Sequence, residues 1–235
     1  MPLVLHILFV LLGVVLPVAL YFNGRRTAKM SAVSFTGRSK VRLYYANGGL
    51  LLVLGLAVLA GWLATGRPFT ELGLGWGRTP YDPFAIVIIF AFLALYGVDL
   101  YAEIGNPERQ RETRRRFRKL GFLPTNGHQY LHFLFLCACA GVGEEIVYRG
   151  FMITYLQELL GTAPWAIAAT LIFPALSFGL AHVYQGAHAV LKITAMALLF
   201  GFFFYRTGSL WPLILLHTAI DAVGGLLSWY LEGQE

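Results

Sequence analysis

Charge is scarce in this chain of 235 residues: 18 Lys and Arg with 12 Asp and Glu make only 13% of it, against 57% hydrophobic residues. Soluble domains carry about 25% charged residues, and a soluble fold of this length could not keep so much apolar surface from water. A soluble enzyme is all but excluded, and a disordered chain is excluded outright. Cysteine is scarcer still. Cys137 and Cys139 stand as C-x-C within an apolar run, which is neither a disulfide framework nor a zinc spacing, so packing is their expected role. The chain lacks the internal repeat of transporters built from duplicated halves. Gly73, Gly75 and Gly77 follow no strand, so they do not form a dinucleotide-binding loop. The first apolar run lacks a basic n-region and a small-residue cleavage pattern, and positive charge follows it at once. It reads as an uncleaved anchor, not a signal peptide.

Long apolar runs are what the sequence does have. A spanning helix needs about 20 such residues, and candidate spans lie near 3–22, 44–64, 83–101, 129–143 continuing as a helix to 160, 164–183, 188–205 and 210–230. The expected fold is all-α: a polytopic membrane helix bundle of seven transmembrane helices, or eight if the long fourth segment breaks at Gly141-Val142-Gly143. The net charge of +6 is concentrated in two places. Arg25, Arg26, Lys29, Arg38, Lys40 and Arg42 lie between the first two runs. Arg109, Arg111, Arg114, Arg115, Arg116, Arg118 and Lys119 lie between the third and fourth. Short basic loops beside apolar runs record membrane orientation and contact with anionic lipids, not nucleic-acid binding. Loop 65–82 is neutral, with Arg67 and Arg78 against Glu71 and Asp82. Basic, neutral, basic predicts cytoplasmic first and third loops and an N-terminus outside, in an integral protein of a prokaryotic plasma (inner) membrane.

An ionisable side chain inside a span costs at least ~2.5–3.5 kcal/mol on insertion scales and is a functional hypothesis by default. The first three spans carry only His6 and Asp99 near their ends. From about residue 128 the set is dense: Glu144, Glu145, Arg149, Glu158, His182, His188, Lys192, His217 and Asp221. Residues 1–124 therefore read as scaffold with basic loops, and 125–235 as the membrane core that holds the polar centre. Glu145 and Arg149 stand at i and i+4 and can pair on one helix face, while Glu144 is turned about 100° away. Two adjacent carboxylates beside one guanidinium should not ionise alike, and a carboxyl poised near neutrality suits general acid–base work. Phe178 and His182 share a face, as do His217 and Asp221, whose carboxylate can orient the imidazole. The bland alternatives are an ion pair locking two helices, a hydrogen-bonded packing histidine and a polar clasp. Convergence of Glu144, His182 and His217, supported by Arg149 and Asp221, would instead make a water-activating centre. His188 and Lys192 lie at a span end, where lysine snorkels; His128 and His132 read as interfacial, and Glu158 as lying at the opposite interface.

Glu144-Glu145-x-x-x-Arg149, Phe178-x-x-x-His182 and His217-x-x-x-Asp221, in that order on apolar helices, resemble the CPBP intramembrane proteases, which include the CAAX prenyl endopeptidases and the bacterial Abi-type proteins. The resemblance covers about residues 125–230. It implies an all-α membrane bundle with a polar site open to the cytoplasm, and an endopeptidase acting on a membrane-associated protein or peptide, of CAAX or sorting-signal type. Carried over by motif position, Glu144 is the base that activates water, assisted by His182. Arg149 and Glu145 hold the helix geometry, and His217 with Asp221 stabilises the oxyanion. Asp221 stands where the family has Asn or Asp, and an Asp donates a hydrogen bond only when protonated. The resemblance implies a glutamate-type peptidase with no cofactor; zinc is the less favoured chemistry, since the chain has no His-Glu-x-x-His helix. The rival reading is a non-catalytic membrane scaffold or immunity protein with a structural polar cluster.

Overall fold

The computed structural model describes residues 1–29, 35, 37–75 and 82–233. Gly77 and Arg78, and the side chains of Arg25, Arg26 and Lys29, lie outside what it describes. All regular structure among the described residues is helical. Helix α1 (Leu3–Val10) passes through a π-helical turn (Leu11–Val15) into α2 (Leu16–Lys29). The long helix α3 (Gly37–Ala64) is followed by α4 (Pro83–Gly105), α5 (Pro107–Leu120) and α6 (Gly127–Glu144). A π-helical segment (Glu145–Ile153) joins α6 to α7 (Thr154–Leu160), and α8 (Pro164–Ala181), α9 (Ala187–Thr207) and α10 (Trp211–Glu232) complete the chain.

Among the described residues, seven helical runs are long and apolar enough to cross a membrane: Leu3–Gly24, Gly37–Ala64, Pro83–Gly105, Gly127–Leu160, Pro164–Ala181, Ala187–Thr207 and Trp211–Glu232. The chain is thus an integral, multi-pass helical membrane protein. The fourth run is continuous, so the eighth span expected from a break at Gly141-Val142-Gly143 does not form. The two glycines serve packing instead. A Cβ on Gly141 would lie 2.9 Å from the Ile214 carbonyl oxygen of α10, and one on Gly143 would lie 2.5 Å from the Leu51 carbonyl oxygen of α3. Without side chains there, α6 lies backbone to backbone between α3 and α10, the close approach that small residues allow in membranes.

Local signals set the ends of several helices. Asp82 caps α4 by accepting the Ala85 N–H at 2.9 Å, and Asn126 caps α6 by accepting that of Gln129 at 3.0 Å. Pro17 has no N–H for the carbonyl of Gly13 one turn back; the Ser177 hydroxyl of α8 donates to that oxygen at 2.8 Å. Helix α5 falls where the sequence suggested only a basic loop. Its signals are orthodox: Asn106 accepts the N–H groups of Glu108 and Arg109, Pro107 stands at the first turn, and Gly121 ends it at φ 73°, a conformation glycine reaches without steric cost.

The two basic loops meet at one end of the bundle. There Lys40 Nζ donates to the Leu123 carbonyl at 2.7 Å, the Tyr44 hydroxyl to that of Phe122 at 2.5 Å, and Arg118 pairs with Glu232. At the other end Arg67 pairs with Glu158 and Glu71, which places Glu158 opposite the basic loops as expected. Lys192 of α9 pairs with Asp99 of α4 at 2.7 Å. Cys137 and Cys139 are both free and buried.

Candidate active site

The centre is built from α6 with its π-helical continuation, the C-terminal end of α8, and α10. Glu145 opens the π-helical segment and is wholly buried; its Oε1 accepts from Arg149 Nη1 at 2.9 Å and from His217 Nδ1 at 2.8 Å. Arg149, 2% exposed, lays its guanidinium over the Phe178 ring at 4.8 Å and near the Phe200 ring at 5.5 Å. A guanidinium can sit this deep only against a carboxylate and polarisable faces. Even so, Arg149 Nη2 and Glu145 Oε2 have no hydrogen-bond partner among the described residues, so the pair is held by one strong contact, not a bidentate fork.

His217 links this buried pair to the open part of the site. Its Nδ1–H goes to Glu145, which directs Nε2 toward two carboxylates: Glu144 Oε2 at 3.5 Å and Asp221 Oδ2 at 3.7 Å. The sequence pairing of His217 with Asp221 is therefore the looser contact. Glu145, 72 positions away in the chain, fixes the tautomer. Glu144 retains 14% side-chain exposure and Asp221 38%, while His217 retains 4%. The residues that can reach water are thus Glu144 and Asp221, and Glu145 is committed to structure.

His182 caps α8. Its Nδ1 lies 2.8 Å from the Phe178 carbonyl oxygen, and since a carbonyl only accepts, Nδ1 carries the hydrogen and Nε2 is left with a free lone pair. The Phe178 ring packs at 4.5 Å from the His182 ring and 6.1 Å from that of His217, so one aromatic separates and aligns both imidazoles. The i, i+4 spacing of Phe178 and His182 is thus used through the backbone of Phe178 as well as its ring. Among the described residues no hydrogen bond joins Glu144 to His182.

All six residues singled out by sequence, Glu144, Glu145, Arg149, His182, His217 and Asp221, fall in one region of the bundle. Sequence reasoning passed over Tyr148, one turn beyond Glu144, which is 7% exposed and packs edge-on at 4.9 Å against Phe178. Its i+4 offset from Glu144 was the available signal. It also passed over Tyr184, 40% exposed, whose ring stacks on His182 at 6.1 Å and meets Phe122 at 6.2 Å. These two contacts place His182 toward the basic-loop end. The opposite end is plugged: Leu72 is wholly buried, the Leu210 N–H donates to the Gly73 carbonyl at 3.0 Å, and the Trp62 indole donates to that of Pro68 at 3.1 Å. Among the described residues, no group of three or more His, Cys, Asp and Glu side chains is disposed to hold a metal ion.

The helical multi-pass bundle with a carboxylate–imidazole centre between α6, α8 and α10 defines a membrane protein with a polar cluster at its core. Residues 126–223 match the family model described as Type II CAAX prenyl endopeptidase Rce1-like. Over that segment the chain is similar to this family, and the match supports a CAAX-type intramembrane protease in general. The matched residues span all six site positions. No curated protein and no solved structure matches the chain.

Proposed function

We propose that the protein is an intramembrane endopeptidase of the glutamate type, in which Glu144 activates water against a peptide bond of a membrane-associated protein or peptide. The observation that carries this reading is the placement of Glu144 3.5 Å from His217 Nε2, while Glu145 occupies the other ring nitrogen. Glu144 takes a proton from water, and the water oxygen attacks the scissile carbonyl carbon. The negative charge that forms on the carbonyl oxygen is met by Nε2–H of His217 in its doubly protonated imidazolium form, whose Nδ1–H is held by Glu145, and by Asp221 in its protonated form. When the carbon–nitrogen bond breaks, Glu144 returns the proton to the leaving amine. His182 Nε2, with its lone pair free, accepts from the attacking water and orients it. Its help to Glu144 thus runs through that water. Arg149 and Glu145 are positioning residues that hold His217 by its Nδ1–H in one rotamer.

Approach is from the basic-loop end, where His182 and Tyr184 lie, and the positive-inside tendency makes that end cytoplasmic. A substrate tail of CAAX or sorting-signal type, held at the membrane face, would reach Glu144 between α8 and α10. The test is purified protein in liposomes with a panel of membrane-anchored peptides, prenylated and unprenylated, and mass spectrometry of the products. Glu144→Gln keeps size and packing and should abolish cleavage. Unchanged cleavage by well-folded Glu144→Gln protein would end this mechanism.

A scaffold or immunity role draws on one specific observation: Glu145, Arg149 and His217 are as buried as a purely structural lock would be. Under that reading Glu144→Gln lowers thermal stability and leaves product formation untouched, whereas a catalytic Glu144 predicts lost product with stability kept or raised.

A further inference from the structure

A cavity of about 210 Å³ lies where α3 and α6 begin and α10 ends, away from the peptidase centre; none of the six site residues lines it. Its walls carry three cations, Lys40, Arg114 and Arg118, and one carboxylate, Glu232, which Arg118 already holds at 3.1 Å. Lys40 is only 8% exposed. Its bond to the Leu123 carbonyl is its only hydrogen bond among the described residues, so two of its three ammonium protons have no acceptor among them. Ser228, 6% exposed, also lines the cavity, and its hydroxyl makes no hydrogen bond among the described residues. A largely buried ammonium with unused donor capacity and a hydroxyl with no hydrogen bond among the described residues thus line one small, positively charged space, and a polar group out of bulk water is stabilised by an acceptor. Phe117 and Leu231 supply apolar wall.

The position of the cavity narrows the kind of ligand. Three spanning helices end around it, the basic helix α5 borders it, and Trp229 and Tyr230 are exposed nearby on α10 at 39% and 44%. These are the features of a membrane–water boundary. We propose that the cavity is a binding site for the phosphate headgroup of an anionic phospholipid, with Lys40 Nζ and Ser228 Oγ donating to the phosphodiester oxygens and Arg114 and Arg118 flanking the charge. The acyl chains then lie along the outer faces of α3 and α10. Basic pockets between helix ends are a recognised form of lipid-headgroup site. This assignment does not depend on the peptidase reading.

The experiment uses the full chain in neutral detergent with trace phosphatidylglycerol or phosphatidylcholine, counting bound lipid by native mass spectrometry. Phosphatidylglycerol should be retained over phosphatidylcholine. Lys40→Met and Arg118→Gln should each weaken that retention about fivefold, the worth of one cation at an anionic surface. Ser228→Leu, which fills the cavity and leaves every charge in place, should remove it and remains decisive if Lys40→Met fails to fold. Arg111→Gln and Arg115→Gln remove the same charge from exposed positions of α5 outside the lining and should leave retention unchanged. Equal losses across all four charge variants would show only diffuse attraction and overturn the site. So would equal retention of the two lipids, or full retention by folded Ser228→Leu. Displacement of the lipid by millimolar inorganic phosphate would assign a soluble phosphate ligand instead.

Discussion

Gly141→Ala tests how the tertiary packing sets the chemistry. The added Cβ would lie 2.2 Å from Thr218 Oγ1, 2.9 Å from the Ile214 carbonyl oxygen and 3.1 Å from the Thr218 nitrogen. The hydroxyl can rotate away, but the two backbone atoms belong to α10 and move only with it. Ordinary contact begins near 3.4 Å, so α10 must shift outward by about half an ångström to restore normal van der Waals separation. His217 directly precedes Thr218 and moves with it, away from Glu145 and Glu144. Misplacement of a reacting group by 1 Å costs about 10²-fold, so the expected loss is about tenfold in turnover. The overpacking itself costs about 1–3 kcal/mol. The assay pairs product formation in liposomes with thermal unfolding in detergent. Gly224→Ala on the same α10, where an added Cβ meets nothing within 4 Å, should keep both values. Wild-type turnover in Gly141→Ala would refute the claim that the α6–α10 approach holds the catalytic geometry.

Other perturbations separate structural from chemical roles. Arg149→Met leaves the wholly buried Glu145 carboxylate without its cation and should cost about 3–5 kcal/mol of stability, seen as a lower unfolding temperature; the Glu145→Gln/Arg149→Met double variant should recover much of it without recovering cleavage. Ser177→Ala leaves the buried Gly13 carbonyl without its donor and should cost about 1–3 kcal/mol, with no change in product identity. Asp82 has its carboxyl held below the usual range, chiefly by the Ala85 N–H and further by Arg206. Its stabilising contribution is therefore full above the ordinary carboxylate pKa and is lost as pH falls through the lowered value. Thermal scans from pH 7 to pH 3 should show this acid loss, and Asp82→Asn should flatten it. A strong chelator should leave cleavage intact, and inhibition reversed by added zinc would point to a metal mechanism instead.

The local content of the site was legible because helix periodicity is local. The four-residue offset of Glu145 and Arg149 predicts a shared face, and the two meet at 2.9 Å. The burial of Glu145 against the partial exposure of Glu144 was not legible, since adjacent residues differ only in which neighbour they face. Nor was the partner of His217: the nearby Asp221 looked sufficient, yet Glu145 on another helix makes the shorter contact at 2.8 Å. Helix α5 went unread because basic charge masked its Asn-Pro start and Gly stop. The glycines at 141 and 143 suggested a break, but in a membrane a residue without a side chain favours helix contact as readily as helix failure.

Composition and the spacing of apolar runs determined by themselves that this chain is a membrane bundle, because transfer free energy and backbone hydrogen bonding leave few other ways to bury such residues. They also marked its last four spans as the place for chemistry, because ionisable groups in lipid require a compensating reason. Only the tertiary structure decided that one glutamate locks an imidazole while its neighbour faces the open site, and that a lysine and a serine far from that centre line one cationic cavity. Those outcomes rest on which helices touch, and contact between distant segments is a property of the packed whole.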